Sequence, residues 1–299
     1  MRVLYFVGTL ELGGLERFVT RTALNAKEIG VFEPLICCLN EKTGQFLESL
    51  ENAGIDVVAA HQGWPRRPKE FFHLIKKIKD LNPDIVHSQV NFSMVQQRLA
   101  VLLAGRRIKF CVTERNEYPL EGFGKARRKV QYYLLKLFGT NYSANSVSGA
   151  EYLANQVGTS PQNIDVIPNG VPLIQKDALM RKNIRHLLGW EEGDFGIGYV
   201  SRMASHKGHD LFINAVSELV KLGHPVKSCL LGDGPCKTHL ETVVRNLGLK
   251  DNISMPGRVT NVEDYLQAFD AVALLSEREG MPNALLEAMA AGKAVVATP

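Results

Sequence analysis

The chain has 299 residues, of which 45% are hydrophobic and 22% are charged; this length exceeds what one hydrophobic core usually serves, and this composition excludes a disordered protein. The net charge is +4, and the positive excess lies in the first half, because the residues up to Pro172 include 21 basic and 16 acidic side chains and the remainder include 14 and 15. Such asymmetry favours an anionic partner for the first half, for which a membrane surface or a phosphorylated lipid fits better than nucleic acid.

Short β-branched segments alternate with helical patterns from the first residue onward. The first segment reaches Gly8 too soon to form a signal-peptide core or a membrane span, so no export signal is expected. Helix signals such as the capping box Ser148-x-x-Glu151 complete a βαβ rhythm, which favours a parallel sheet covered on both faces. The predicted strands of the first half are Arg2–Val7, Pro34–Cys38, Asp56–Ala59, Asp84–Ser88, Lys109–Thr113, Asn141–Ala144 and Ile164–Ile167.

A turn at Pro168-Asn169-Gly170 ends this first series, and the same rhythm resumes at Gly196 after a stretch rich in Lys and Arg. The predicted strands of the second series are Gly196–Val200, Lys227–Leu231, Ile253–Met255, Ala271–Leu275 and Ala294–Ala297. The pattern predicts an α/β protein with two doubly wound Rossmann-like domains, residues 1–172 and 173–299, facing each other across a cleft. Ligands are expected at the carboxyl ends of the strands.

Two carboxylates follow a buried strand of the second half. Glu279 lies in the loop at the strand end, and Glu287 falls about one turn into a helix that Pro282 opens, since proline is favoured at the first helical position. Both side chains can face a ligand at the positive end of this helix, where they would accept hydrogen bonds from sugar and ribose hydroxyls. A solvated loop acid beside a helix-start acid is the alternative interpretation.

Two cations, Arg202 and Lys207, lie in a strand-to-helix loop close to the backbone amides of Gly208 and His209. Cations beside such amides form an anion site. A departing nucleoside diphosphate needs that kind of site, because negative charge grows on the leaving phosphate in the transition state. Plain surface charge is the alternative.

These segments resemble the motifs of the family 4 retaining glycosyltransferases, which have the GT-B fold. The stretch from Glu279 to Glu287 is similar to the family's Glu-x7-Glu signature, and Arg202 with Lys207 resembles its diphosphate-binding pair. Three further motifs occur in the expected order: Gly13-Gly14-x-Glu16, Pro168-Asn169-Gly170-Val171 and Leu231-Gly232-Asp233-Gly234-Pro235. The resemblance implies transfer of a hexose or acetamido-hexose from a nucleotide diphosphate sugar, with UDP favoured over GDP, with retention at the anomeric carbon and without a metal.

The resemblance also implies roles for individual residues and for the two domains. The predicted catalytic residues are Arg202, Lys207 and Glu279. The predicted donor-binding residues are Gly13, Gly14, Arg202, Lys207, Gly280, Met281, Pro282 and Glu287. The first domain would bind the acceptor, a lipid-linked glycan, and the second the nucleotide-sugar. The Gly13-Gly14 pair by itself is also compatible with an ordinary turn.

Two side chains at strand ends of the first half are further candidates. His87 resembles the first histidine of the family's His-x-His, in which Gln89 replaces the second. Arg115 stands where many relatives carry a histidine that approaches the donor sugar, and the surrounding Thr-Glu-Arg-Asn-x-x-Pro resembles a branch acting on polyprenyl-linked glycans. We expect His87, Arg115 and Asn116 to contact the acceptor or the sugar. A structural histidine, and an Arg115 paired with a neighbouring glutamate, are the alternatives.

The segment Lys125–Lys136 has five basic residues and no acid, with apolar residues on one face: Val130, Tyr133, Leu134 and Leu137. This pattern is typical of a basic amphipathic helix. With Trp64–Lys69 it could form a surface that rests on anionic lipid. An ordinary domain helix with a solvated basic face is the alternative.

Five cysteines without a Cys-x-x-Cys spacing indicate neither a disulfide framework nor a zinc site. His206 and His209 lack further metal ligands nearby in the sequence, so no metal is expected. The sequence therefore predicts a cytoplasmic protein, peripheral at the inner face of the cell membrane.

Two rival hypotheses remain. The first rival is a nicotinamide oxidoreductase, which would need Gly-x-Gly-x-x-Gly in the first loop. The first loop here has the spacing Gly8-x4-Gly13-Gly14, which disagrees with that motif. The second rival is a truncated, non-catalytic remnant that binds a nucleotide-sugar, because relatives continue beyond the position of Pro299. In that case the second domain would be incomplete, and the strand Ala294–Ala297 would be partly uncovered.

Overall fold

The computed structural model describes residues 1–11, 13–60, 68–89, 93–105, 107–115 and 122–298. It divides into two compact units, Met1–Asn169 and Gly170–Pro299. Each unit has its own parallel sheet, of seven strands in the first and five in the second. The predicted α/β class with two doubly wound sheets is confirmed.

The first unit follows the predicted alternation of strands and helices. Its elements are β1 Arg2–Val7, α1 Gly14–Ile29, β2 Glu33–Cys38, α2 Leu47–Asn52, β3 Asp56–Ala59, α3 Pro68–Leu81, β4 Ile85–Ser88, α4 Met94–Leu103, β5 Lys109–Glu114, α5 Gly122–Leu137, β6 Asn141–Ala144, α6 Val147–Val157 and β7 Asp165–Val166. The strand order is β3-β2-β1-β4-β5-β6-β7, with every pair parallel.

The central strands of this sheet are covered on both faces. Val3, Tyr5 and Val7 of β1 pack in one core with α1 and α2, whereas Leu4 and Phe6 pack in a second core with α3 to α6. Successive side chains of a strand point to opposite faces, so an unbroken apolar run supplies both cores. The sheet of the first unit is therefore covered by helices on both faces, as its continuous apolar strands predict.

The second unit repeats the arrangement on a smaller scale. Its elements are α7 Ala178–Leu187, β8 Phe195–Val200, α8 His209–Lys221, β9 Val226–Leu231, α9 Lys237–Asn246, β10 Ile253–Gly257, α10 Val262–Ala268, β11 Ala271–Leu274, α11 Asn283–Ala290 and β12 Ala294–Ala297. The order is β10-β9-β8-β11-β12. The edge strand β12 pairs with β11, and its four residues are exposed.

Two local predictions about helix starts are wrong. The cap of α6 is Ser146, whose extended backbone lets its hydroxyl accept from the amide of Gly149 at 3.1 Å, so the predicted capping box from Ser148 to Glu151 lies inside the helix. Likewise Pro282 precedes α11 as its N-cap residue, and the first helical residue is Asn283.

The packing of β5 gives a test of the first core. Phe110 is fully buried, so Phe110→Ala should lower the free energy of unfolding by about 3–5 kcal/mol, through lost burial and the cavity that remains. Phe72→Ala is the matched control, because Phe72 is 66% exposed; its effect should stay within about 0.5 kcal/mol. Urea denaturation of both variants measures the difference, and equal effects would contradict the placement of Phe110.

Candidate functional site

The predicted donor residues of the second unit follow the carboxyl ends of β8 and β11 in the chain. β8 and β11 are neighbours in that sheet although β9 and β10 separate them in sequence. The chain leaves β8 toward one side and returns to β11 on the other, which makes the gap between them a topological switch point. Ligands of doubly wound sheets bind outside the strand ends at such points.

The loop after β8 is pressed against the end of β11. Gly208 has a left-handed backbone (φ 64°), and a Cβ there would lie 1.9 Å from the carbonyl oxygen of Leu275. The amide of Glu277 also donates to the carbonyl of His206 at 3.0 Å. Only glycine permits this approach, so the loop and the segment after β11 are held together by their backbones.

This contact brings two predicted catalytic residues together. Nζ of Lys207 lies 2.5 Å from Oε1 of Glu279, and both side chains are about one-fifth exposed. A half-buried pair of this kind is screened by water less than a surface pair. The ammonium group has three donors, so contact with Glu279 leaves two for other acceptors.

Tyr199, near the end of β8, forms hydrogen bonds with both the loop after β8 and the segment after β11. Its hydroxyl donates to the carbonyl of Lys207 and accepts from the amide of Leu275 at 2.9 Å. The ring of Tyr199 is fully buried, and its centroid lies 4.9 Å from the ring centroid of His209 and 4.7 Å from that of Phe212. Burial raises the pKa of Tyr199 to about 12, so the hydroxyl keeps its proton and both hydrogen bonds.

The other predicted donor residues of the second unit follow Glu279 in the chain. Glu287 is the fifth residue of α11 and is only 5% exposed. Gly280, Met281 and Pro282 occupy the half-buried turn between Glu279 and α11. Both glutamates therefore belong to one strand-turn-helix segment, as predicted.

Arg202 is the exposed member of the predicted set, and its guanidinium contacts none of the described residues through a hydrogen bond or ion pair. Its backbone is positioned by the loop after β9. The amide of Met203 donates to the carbonyl of Asp233 at 3.0 Å, and a Cβ on Gly234 would lie 2.3 Å from the carbonyl oxygen of Met203. The Gly232-Asp233-Gly234 motif thus supports the Arg202 loop sterically.

His209 is buried where it begins α8. Its Nε2 lies 3.1 Å from the hydroxyl of Ser201, and its Nδ1 has no partner among the described residues. Burial lowers the pKa of His209 to about 4, so the ring is neutral at pH 7.

In the first unit, the predicted residues lie near the switch point between β1 and β4. Gly13 is the N-cap residue of α1, and Gly14 is its first residue. A Cβ on Gly13 would lie 2.1 Å from a carboxylate oxygen of Glu16, so that side chain folds back over the start of its own helix. Burial raises the pKa of Glu16.

Arg115, just after β5, is held from several sides. It donates to Oε1 of Gln89 at 3.2 Å and to Oδ1 of Asn169 at 2.6 Å, and its guanidinium lies 3.9 Å from the ring centroid of Phe18. Burial lowers the pKa of Arg115 to about 10, and the charge of Glu16 raises it. Arg115 therefore stays charged at neutral pH, and among the described residues its side chain donates to amides rather than to the neighbouring Glu114.

His87 continues this polar cluster into the sheet. Gln89 donates from Nε2 to Nε2 of His87 at 3.1 Å. The same ring nitrogen lies 2.5 Å from Oγ1 of Thr113, which lies 2.7 Å from the hydroxyl of Ser143. Burial lowers the pKa of His87 to about 4, and the charge of Arg115 acts in the same direction. The structure brings His87 and Arg115 together through Gln89, while Asn116 lies outside the described residues.

Three supporting residues were not predicted from the sequence. Tyr199 carries a usable signal, a tyrosine in an otherwise apolar strand. Asn169 belongs to the Pro168-Asn169-Gly170 motif, but its contact with Arg115 spans 54 positions and could not be inferred from spacing. Phe18 has the appearance of any core residue of α1.

No three His, Cys, Asp or Glu side chains of the described ranges lie together as a metal site would require. The metal-free donor site stays a prediction. No helix in the described part of the chain has the length and apolar content needed to cross a membrane.

Two family models match the chain. The model described as Glycosyltransferase Family 4 matches residues 12–175, and the model described as Glycosyl transferases group 1 matches residues 180–299. One match falls on the segments around Arg115 and the other on those around Lys207 and Glu279. The predicted order of motifs and the matched models therefore agree over nearly the whole chain.

Curated relatives extend the same similarity. The capsular polysaccharide biosynthesis glycosyltransferase CapH of Staphylococcus aureus is 26% identical over 298 residues, covering 96% of this chain and 78% of the relative. The UDP-Gal:alpha-D-GlcNAc-diphosphoundecaprenol alpha-1,3-galactosyltransferase of Escherichia coli is 27% identical over 237 residues, covering 75% of this chain and 60% of the relative. The 2-deoxystreptamine glucosyltransferase of Streptomyces kanamyceticus is 31% identical over 153 residues, and the chain covers 40% of it. The chain thus spans only part of the length of the curated relatives it matches, for example 78% of CapH.

Solved structures show the same fold. A crystal structure of Anabaena HepE in complex with UDP and glucose superposes with a TM-score of 0.84 at 22% identity, covering 99% of this chain and 80% of that chain. The match confirms the predicted GT-B fold.

The lowered pKa values of His87 and His209 predict a stability loss in acid. The folded pKa of His87 and of His209 is about 4, below the unfolded value of about 6.5. Between these values the unfolded chain binds protons that the folded chain does not. The two histidines therefore contribute their full stabilisation above about pH 6.5. As the pH falls toward 4, each histidine lowers the free energy of unfolding by at most about 1.4 kcal/mol per pH unit.

The variant His209→Gln should reduce this slope for unfolding of the second unit. His224→Gln is the matched control, because His224 is exposed in the same unit. Denaturant unfolding at several pH values between the two pKa values measures the slope. An unchanged slope in His209→Gln would contradict a neutral His209.

Proposed function

The chain belongs to glycosyltransferase family 4, and we propose that it is an enzyme that moves a hexose or acetamido-hexose from a nucleotide diphosphate sugar to a lipid-linked glycan, with retention at the anomeric carbon. The observation that carries the proposal is the contact of Lys207 with Glu279 at the carboxyl edge between β8 and β11. Backbone packing holds a cation and a carboxylate there, and these can bind the diphosphate and the sugar of a nucleotide-sugar.

Lys207 and Arg202 stabilise the leaving diphosphate in this proposal. As the bond from the sugar to the diphosphate breaks, negative charge grows on the phosphate oxygens, and donors that are already in place favour the transition state. Lys207 is oriented by Glu279 and by the hydrogen bond of Tyr199 to its carbonyl. Arg202 is exposed on a supported loop, so its guanidinium can turn toward a phosphate.

The two glutamates, Glu279 and Glu287, bind different parts of the donor in this proposal. Glu287, buried in the middle of α11, accepts hydrogen bonds from the ribose hydroxyls, whereas Glu279, about one-fifth exposed, accepts from the sugar hydroxyls. Gly280, Met281 and Pro282 form the turn over which the donor lies. The acceptor attacks the anomeric carbon on the face from which the diphosphate departs, which accounts for retention. Charge stabilisation of the departing diphosphate by Arg202 and Lys207 requires no covalent intermediate.

The first unit would receive the acceptor. Arg115 and His87, with Asn116, remain the proposed contacts to acceptor or sugar, and Gly13 and Gly14, at the start of α1, remain proposed donor-binding residues. The clustering of Arg115, Gln89 and His87 beside the strand ends supports this role. A cytoplasmic location at the inner face of the membrane stays a prediction from charge and cysteine content.

The named ligands of similar proteins support the choice of substrates. HepE was crystallised with UDP and glucose, and the Escherichia coli relative is named for UDP-Gal and a diphosphoundecaprenol-linked sugar. We therefore propose a UDP-sugar as donor in preference to a GDP-sugar, and a polyprenyl-linked glycan as acceptor.

Nucleotide selectivity is tested by thermal melts of the full chain with UDP, GDP and NAD in turn. UDP at about 100 times its dissociation constant should add roughly 2.7 kcal/mol and raise the midpoint by several degrees, because it binds only the folded state. Stabilisation by NAD alone would contradict the donor site.

Transfer itself is tested with Lys207→Ala. Loss of one preorganised donor should lower kcat about a hundredfold, measured as release of nucleoside diphosphate with a polyprenyl-linked acceptor. Lys221→Ala is the matched control, because it removes an exposed Lys–Glu pair of the same unit. The anomeric configuration of the product, determined by NMR, tests retention.

The outcomes separate the two hypotheses for function. Near wild-type turnover in Lys207→Ala would contradict its role. Nucleotide binding by the unaltered chain without turnover on any UDP-sugar would favour the non-catalytic, nucleotide-sugar-binding alternative.

A further inference from the structure

The guanidinium of Arg115 carries a half-buried charge, and among the described residues no carboxylate lies within ion-pair distance of it. Its two hydrogen bonds go to the amide oxygens of Gln89 and Asn169, at 3.2 Å and 2.6 Å. Amide oxygens orient a cation, but they carry no net charge. Burial lowers the pKa of Arg115 only to about 10, so the charge persists at neutral pH. Because buried charges in proteins are usually paired, a guanidinium in this setting is suited to an anionic ligand.

Glu16 is the carboxylate whose charge acts on Arg115, but it lies against the start of its own helix. A Cβ on Gly13 would lie 2.1 Å from Oε2 of Glu16, so this side chain folds back over the first turn of α1. A guanidinium has five N–H donors, and the two amide contacts leave three of them for another acceptor. Glu16 therefore attracts Arg115 at longer range without using these donors.

Arg115 is held in one orientation by side chains that are themselves fixed. Gln89 is only 4% exposed, its backbone amide donates to the carbonyl of Phe6 at 3.2 Å, and its Nε2 donates to His87 at 3.1 Å. The guanidinium also lies 3.9 Å from the ring centroid of Phe18, where cation–π attraction favours it. A guanidinium that is fixed in advance loses little freedom when it binds a phosphate through two parallel N–H bonds.

The position of Arg115 in the first sheet relates the anion to one of the two substrates. Arg115 directly follows β5, and Gln89 directly follows β4, its parallel neighbour, so both lie where ligands of doubly wound sheets bind. In the proposed function, Lys207 and Arg202 of the second unit already bind the diphosphate of the donor. The first half also has the excess of positive charge, with 21 basic against 16 acidic residues up to Pro172. We therefore attribute an anion at Arg115 to the acceptor.

We propose that Arg115 binds the phosphate that joins the acceptor sugar to its lipid, and that Gln89 and Asn169 are positioning residues for this contact. The acceptor class that follows is a sugar attached through a phosphate or diphosphate ester, in preference to the same sugar on an uncharged group. This inference rests on the proposed function, since it identifies the charged group by which the lipid-linked acceptor is recognised. A neutral donor sugar has no group of matching charge.

Binding is tested without transfer, by calorimetric titration of the full chain with geranyl diphosphate in the presence of saturating UDP. The UDP occupies the donor site, so the isoprenoid diphosphate reports on the acceptor side alone. Arg115→Gln should weaken binding of geranyl diphosphate about 10-fold to 100-fold, the range typical of hydrogen bonds to a charged group. Arg115→Lys keeps the charge but loses the planar fork, so its affinity should lie between the two.

Arg107→Gln is the matched control for this titration. Arg107 is exposed just before the amino end of β5, at the opposite edge of the sheet, and its replacement removes the same charge. The dissociation constant of geranyl diphosphate should equal that of the unaltered chain. Equal weakening in Arg107→Gln and Arg115→Gln would mean that the net charge of the first unit attracts the ligand, which would contradict the proposal. Circular dichroism verifies that each variant is folded.

Transfer gives a second readout. The kcat/KM for a sugar on geranyl diphosphate, divided by the kcat/KM for the same sugar on a neutral geranyl group, measures the preference for the phosphate. Arg115→Gln should lower this ratio about 10-fold to 100-fold, whereas Arg107→Gln should leave it unchanged. A contact of Arg115 with the donor sugar, or a role in folding alone, would lower both kcat/KM values equally and leave the ratio as it was.

Three results would overturn the proposal. The first is an absence of geranyl diphosphate binding, the second is equal loss on both acceptors in Arg115→Gln, and the third is a preference for an acceptor whose charge is a hexuronate carboxylate instead of a phosphate. Failure of the proposed reaction gives a different pattern. In that case no UDP-sugar supports turnover, while binding of geranyl diphosphate still depends on Arg115.

Discussion

The approach of Gly208 to the carbonyl of Leu275 determines the geometry around Lys207 and Glu279. No side chain fits between these two backbones, so the loop after β8 can lie directly on the end of β11. The same restriction acts at Gly232, where a Cβ would lie 2.0 Å from the carbonyl oxygen of Ser201. Glycines thus determine where Lys207 and Arg202 lie.

Both units place polar side chains by the same topological rule. In the second, the change of direction between β8 and β11 leaves Lys207 and Glu279 outside the strand ends. In the first, the change between β1 and β4 leaves Gln89 beside Arg115. Apolar runs build the sheets, and the residues that follow them meet because parallel strands end at one edge.

The fold could be predicted from the sequence because apolar runs and glycine turns are local signals. The pairing of Glu279 with Glu287 on one segment was equally local. Contacts that join distant segments were not predictable, such as that of Asn169 with Arg115, and neither was the burial of His87, since both depend on packing. Helix starts failed where two serines competed as caps and the backbone conformation of Ser146 decided between them.

The polar cluster around Arg115 has a fixed charge over a wide range of acidity. His87 gains a proton only near pH 4, and Arg115 loses one only near pH 10. Neither group can buffer or exchange protons in a cell close to neutrality. A ligand that meets these two side chains therefore encounters the same electrostatic potential from them whether the surrounding medium is mildly acidic or mildly alkaline.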